Sequence, residues 1–219
     1  HMELKNKKIA FLGDSITEGC ATSCMEKTYW SQLAKDTGAV SYGYGIGGTR
    51  IAPQHTPSEN PNCDRYYLSR VDDMIPDADI IVVFGGTNDF GHGDAAFGQL
   101  NDRCEDTFCG ALHLLIEKLI ARYPYAQLVF LTPTHRLGEE YLEHGDTGRP
   151  RQATLETYVN AIMQICGHYG VPVLDLFRTS GLQPSVPLVQ ELYMPDGLHP
   201  NDAGHRKIAD RLIGFLTAL

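Results

Sequence analysis

Four short clusters, far apart in the chain, carry side chains that suit acyl transfer. Gly13-Asp14-Ser15-Ile16-Thr17 follows the apolar run Ile9-Ala10-Phe11-Leu12, so a serine is presented where a short buried strand ends. A serine hydroxyl is a weak nucleophile until a base takes its proton. Asp196-Gly197-Leu198-His199-Pro200 supplies such a base. An imidazole titrates near neutral pH and moves protons, and a carboxylate that accepts its other N–H fixes its tautomer and stabilises the imidazolium. Asp196 and His199 are close enough in sequence for one short loop to present both. Gly85-Gly86-Thr87-Asn88-Asp89 follows the apolar run at 80–84, and the Asn88 amide can donate to a developing oxyanion. In Tyr44-Gly45-Ile46-Gly47-Gly48-Thr49, glycines let the backbone approach a substrate and offer an N–H. Gly45, Gly47 and Gly48 all fit that role; Gly48 is preferred for its place before Thr49.

Strand-like runs at 8–12, 39–44, 80–84, 127–131 and 171–174 must hold these groups in place. Between them lie helical stripes: Phe108, Leu112, Leu115, Ile116 and Leu119; then Leu155, Tyr158, Val159, Ile162 and Ile165, closed by Gly170; and lastly Ile208, Leu212, Phe215 and Leu216. Alternating strands and helices predict a parallel sheet covered on both faces. Three stretches read as long loops able to wall a pocket: 52–62, 132–152 and 176–195.

The four blocks, in this order and spread over 13–200, resemble the SGNH hydrolases, also called the GDSL lipase/acylhydrolase family. Ser15, Gly48, Asn88 and His199 match the family's Ser, Gly, Asn and His. The resemblance implies an α/β fold, a flavodoxin-like three-layer α/β/α sandwich on a five-stranded parallel sheet. It implies catalysis by Ser15, His199 and Asp196 through an acyl-enzyme. The oxyanion hole would comprise the Ser15 and Gly48 N–H groups and the Asn88 side chain, with no metal and no organic cofactor. The Gly-x-Ser-x-Gly elbow of α/β-hydrolases does not occur.

The 219 residues, 42% hydrophobic and 21% charged, suit one globular domain over 3–219, with His1-Met2 read as a cloning scar. A net charge of −9 without a basic stretch argues against nucleic acid. No apolar run approaches the roughly 20 residues of a membrane helix, and no leader is visible, so a cytoplasmic protein without a membrane partner is expected. The six cysteines lack zinc-ligand spacing and are expected as reduced thiols. Gly43-x-Gly45-x-x-Gly48 matches a dinucleotide fingerprint in form, but a Pro-rich stretch follows where a helix should begin.

Asp14 and Asp89 read as loop braces and His205 as structural, while His55, His113, His144 and His168 read as surface residues. His92, His135 and Tyr193 are candidate pocket residues, and Arg65, Tyr66, Tyr67 and Arg136 lie in candidate wall loops. These polar and aromatic groups suit a small polar ester, foremost an acetyl ester of a carbohydrate. A thioesterase or lysophospholipase activity, or a non-catalytic binding module on the same fold, are the alternatives.

Overall fold

Neighbouring residues of the central strands are apolar on both faces, which commits them to a sheet buried on both sides. In a computed structural model describing His1–Leu219, β1 (Lys8–Gly13), β2 (Val40–Gly45), β3 (Ile80–Phe84), β4 (Gln127–Leu131) and β5 (Val173–Leu174) form one sheet in the order β2-β1-β3-β4-β5. Every pairing is parallel. The helices are α1 (Ser15–Glu18), α2 (Tyr29–Thr37), α3 (Tyr67–Arg70), α4 (Thr87–Gly91), α5 (Phe108–Arg122), α6 (Leu155–His168), α7 (Leu176–Thr179), α8 (Pro187–Tyr193) and α9 (Asp202–Thr217).

The strand period of two divides the core. Ala10, Leu12, Ile81, Val83 and Phe130 pack with α5 and α6 on one face. Ile9, Phe11, Val82, Val129 and Leu131 pack with α2 and α9 on the other. The result is the expected three-layer sandwich, and its strand order is the flavodoxin-like one, with the direction of winding reversing between β1 and β3. Ligands of open α/β sheets bind beyond the strand C-termini at that reversal. The register also makes the strand ends level, since Gly13 pairs with both Gly45 and Phe84. The loops after β1, β2 and β3 therefore leave from one plane. No helix is long and apolar enough to cross a membrane.

Three expectations are corrected. The run at 171–174 yields only two strand residues, because Pro172 has no N–H for the ladder; its carbonyl still accepts from Phe130 N. The stretch 176–195 is not one loop. Asp175 caps α7 by accepting from Arg178 N, and Pro187 opens α8 at a position where its missing N–H costs nothing. His113 is buried, not at the surface. Its Nε2–H donates to Leu100 O and its Nδ1 accepts from the Tyr169 hydroxyl, both at 2.7 Å, so burial leaves no ring nitrogen unpaired.

His205 on α9 is structural, as expected. It is fully buried beside Tyr29, and its Nδ1 accepts the Tyr29 N–H at 2.9 Å, joining α9 to the start of α2. Burial pushes its pKa down to about 4, against the pull of Asp202. Between about pH 4 and 6.5 the unfolded chain then binds the extra proton, so this group makes stability rise with pH across that window and fall on acidification. His205→Gln is expected to remove about 2 kcal/mol of that rise, read as the change in urea unfolding free energy between pH 4.5 and 7. An unaltered slope would contradict the assignment.

Candidate active site

Ser15 leaves β1 as the first residue of α1. Asp14 caps that turn, its Oδ1 accepting Ile16 N–H at 3.0 Å. Burial pushes the Asp14 carboxyl up to about 6, although the Ile16 N–H and His199 favour its charged form. Side chains are excluded where α1 lies against β2: a Cβ on Gly45 would overlap the Thr17–Glu18 backbone. The Ser15 hydroxyl donates to His199 Nε2 at 2.9 Å, and His199 Nδ1–H donates to Asp196 Oδ2 at 2.6 Å. The other Asp196 oxygen accepts the N–H groups of Leu198 and His199 at 2.8 and 2.7 Å. Partial burial raises the Asp196 pKa, but these N–H bonds and the imidazole outweigh it and hold the group below the usual carboxylate range. The loop before α9 thus fixes both carboxylate and imidazole.

The β2 loop distinguishes its glycines. Gly45 belongs to β2, and Gly47 N–H is committed to Glu18 Oε2 at 2.8 Å. Gly48 is left-handed, with φ +75°, and its N–H has no acceptor within the protein. Asn88 on α4 donates one amide hydrogen to Thr49 O at 2.9 Å and keeps the other. Ser15, Gly48, Asn88 and His199 line one cleft of about 550 Å³. A nucleophile bonded to a base, the base bonded to a carboxylate, and spare N–H donors beside the nucleophile are the parts acyl transfer requires.

His92 lines this cleft, as expected, together with Arg136, Leu137 and Asp146 from the stretch 132–152. His135 does not. Its Nδ1 turns to Glu139 at 2.7 Å and its ring lies on Phe177. Tyr193 does not either: Lys207 of α9 sits over its ring. Tyr67 is buried and donates to Phe84 O, Tyr66 donates to Glu105 and Arg65 pairs with Asp73, so none of the three lines the cleft. Asp89 braces the β2 loop by accepting Ile51 N and Ala52 N, each at 3.0 Å.

Sequence reasoning missed Arg50 and Arg70, both buried beneath the site. Neither stands in an apolar stretch, so the sequence carries no signal that marks them as buried. It also missed Asp146, whose carboxylate burial would raise but which His92, Arg136 and Arg151 hold far below its usual range. All six cysteines are free thiols, and Cys20 lies at the cleft.

A family model described as the GDSL-like lipase/acylhydrolase family matches residues 11–207. A GDSL lipase of Mycobacterium tuberculosis is 25% identical over 99% of this chain and 84% of its own. A solved structure from Lactobacillus plantarum is 33% identical with a TM-score of 0.83, covering 100% of this chain and 99% of its own. An acetyl xylan esterase shares the fold at a TM-score of 0.65 and 23% identity, over 95% of this chain and 99% of its own. The chain belongs to the GDSL-like lipase/acylhydrolase family and is a serine-dependent carboxylic ester hydrolase.

Gly48 offers a direct check of the loop geometry. A Cβ there would stand 2.8 Å from Cys63 Sγ, on a left-handed backbone. Gly48→Ala is expected to cost at least about 1–2 kcal/mol in urea unfolding, from the backbone conformation alone. Wild-type stability in that variant would mean the loop adopts another conformation.

Proposed function

We propose that this hydrolase removes acetyl groups from small polar alcohols, carbohydrates foremost, through an acyl-enzyme on Ser15. The observation that carries this reading is the hydrogen-bonded line Asp196–His199–Ser15, facing the uncommitted Gly48 N–H and Asn88 amide across one cleft. Ser15 Oγ attacks the ester carbonyl carbon while His199 Nε2 takes the hydroxyl proton. The carbonyl oxygen becomes an oxyanion held by the Ser15 and Gly48 N–H groups and the Asn88 amide. His199 then protonates the leaving alkoxide as the C–O bond breaks, and acetyl remains on Ser15. Water, deprotonated by the same imidazole, attacks the acetyl-serine, and acetic acid leaves with Ser15 restored. Asp196 orients His199 and offsets the charge of the imidazolium throughout. Protein groups carry each step, so the route calls for no cofactor.

The substrate class rests on the lining. Cys20, Leu137 and Leu198 are the only apolar side chains around the cleft, which suits a short acyl group better than a long one. Past Gly48 and His92 lies a second cavity of about 540 Å³, lined by Gln54, Ser58, Asn60, Thr147 and Arg149 among others. Such amide, hydroxyl and guanidinium groups suit a polyhydroxylated alcohol. The acetyl xylan esterase with the same fold acts on a substrate of that kind.

Ser15→Ala should abolish turnover of p-nitrophenyl acetate in a folded protein, and a fluorophosphonate should label Ser15 alone. Labelling elsewhere, or activity in the variant, would sink the assignment. Asn88→Ala should lower kcat by about 10²–10³ with little change in KM, since the oxygen it serves is fully charged only in the transition state. Across p-nitrophenyl esters, kcat/KM should decline in graded steps from acetate to decanoate, since a single methylene changes transition-state binding only modestly. A rise toward decanoate would overturn the acyl preference.

A further inference from the structure

His92 lines the cleft, and one of its ring nitrogens is already engaged. A carbonyl can only accept, so the ring nitrogen beside Gly48 O, Nε2 at 3.1 Å, carries the proton and donates it. The other nitrogen, Nδ1, stands 3.6 Å from Asp146, whose carboxylate is itself clamped by Arg136 and Arg151. The bond to Gly48 O is therefore the one hydrogen bond that fixes the ring. His92 also closes α4, its backbone N–H donating to Asn88 O at 2.9 Å. Asn88 and His92 lie four residues apart, on one side of a helical turn. From that side they grip neighbouring carbonyls of the β2 loop, Asn88 holding Thr49 O and His92 holding Gly48 O.

We propose that His92 is a positioning residue that aims the Gly48 N–H at the oxyanion, coupling the Asn88 turn to the glycine loop. The inference rests on the reading of Ser15, Gly48 and Asn88 given above. Gly48 has no side chain to anchor it and occupies the left-handed region. Its orientation is therefore set by whatever holds its carbonyl. Two donors do so: His92 on the cleft side and Arg50 Nη1 at 3.1 Å, the latter fixed by Asp64. With Arg50 alone, the loop keeps its place but the residue can tilt. A misplacement near 1 Å at a reacting centre costs up to about 10²-fold in rate. Ground-state binding of a small ester, which has little charge on that oxygen, is barely touched.

The test uses the full chain and p-nitrophenyl acetate, with rates expressed per site titrated by a fluorophosphonate. His92→Ala should lower kcat by about 10–100-fold, short of or equal to the loss of a whole oxyanion donor, with KM within about twofold. His92→Phe, which keeps the ring but has no donor, should match it. His92→Gln, whose amide can reach Gly48 O, should recover kcat to within about threefold of wild type, the remaining gap reflecting imperfect orientation. A purely structural role would instead lower the titratable fraction and leave kcat per site intact. The proposal is overturned if His92→Ala or His92→Phe keeps kcat within twofold, if KM rises while kcat holds, or if His92→Gln fails as badly as His92→Ala. Ser15→Ala run alongside separates the two readings. Turnover by that variant overturns the whole site, whereas a silent Ser15→Ala beside a fully active His92→Ala overturns the role of His92 alone.

Discussion

Parallel strands that stop at one level bring their last carbonyls to one edge of the sheet, where a buried carbonyl left unpaired costs about 1–3 kcal/mol. Arg70 answers that constraint. Its guanidinium, 3% exposed and over the Tyr67 ring, donates to Gly13 O at the end of β1, to Tyr44 O in β2 and to the Thr49 hydroxyl in the loop beyond. One rigid, always-charged fork thus ties the turn that carries Ser15 to the loop that carries Gly48. Neither segment can shift alone without pulling away from that buried charge. The level strand ends, rather than any catalytic side chain, set where the chemistry sits.

Carboxylates divide the remaining work by depth. Asp14 and Asp89 are buried, and burial raises the pKa of each; both accept backbone N–H groups and so hold loops. Asp196 is half-exposed, lies below its usual range, and gives one oxygen to an imidazole. A carboxylate that must stay ionised through a proton relay benefits from that partial access to water, while a brace does not need it.

The sequence made some of this legible and hid the rest for physical reasons. Strands β1, β3 and β4 are runs of apolar residues on both faces, a pattern few other elements satisfy, and their limits could be read almost to the residue. Ser15, Asn88, Asp196 and His199, picked out because their types complete one chemical set, are brought by the fold to one cleft. The destinations of His135 and Tyr193 were not legible. Both lie near strand ends or the base loop, but His135 found a carboxylate four residues on and Tyr193 found Lys207 on another helix. A side chain's direction depends on such partners, which composition and period do not reveal. Arg50 and Arg70 were hidden similarly, since what they satisfy are backbone carbonyls that exist only once the sheet has formed.

Ser15 and His199 are 184 residues apart in sequence yet share a hydrogen bond. At a synthesis rate of roughly 5–20 residues per second, the serine leaves the ribosome about 10–40 s before the imidazole it bonds to. Through that interval the chain holds an inert hydroxyl. Gly48 and Asn88 join it in turn, and the base arrives last, on the loop that α9 pins against α2. On the proposed reading, the catalytic set is complete in the chain only once the loop just ahead of the final helix has been made.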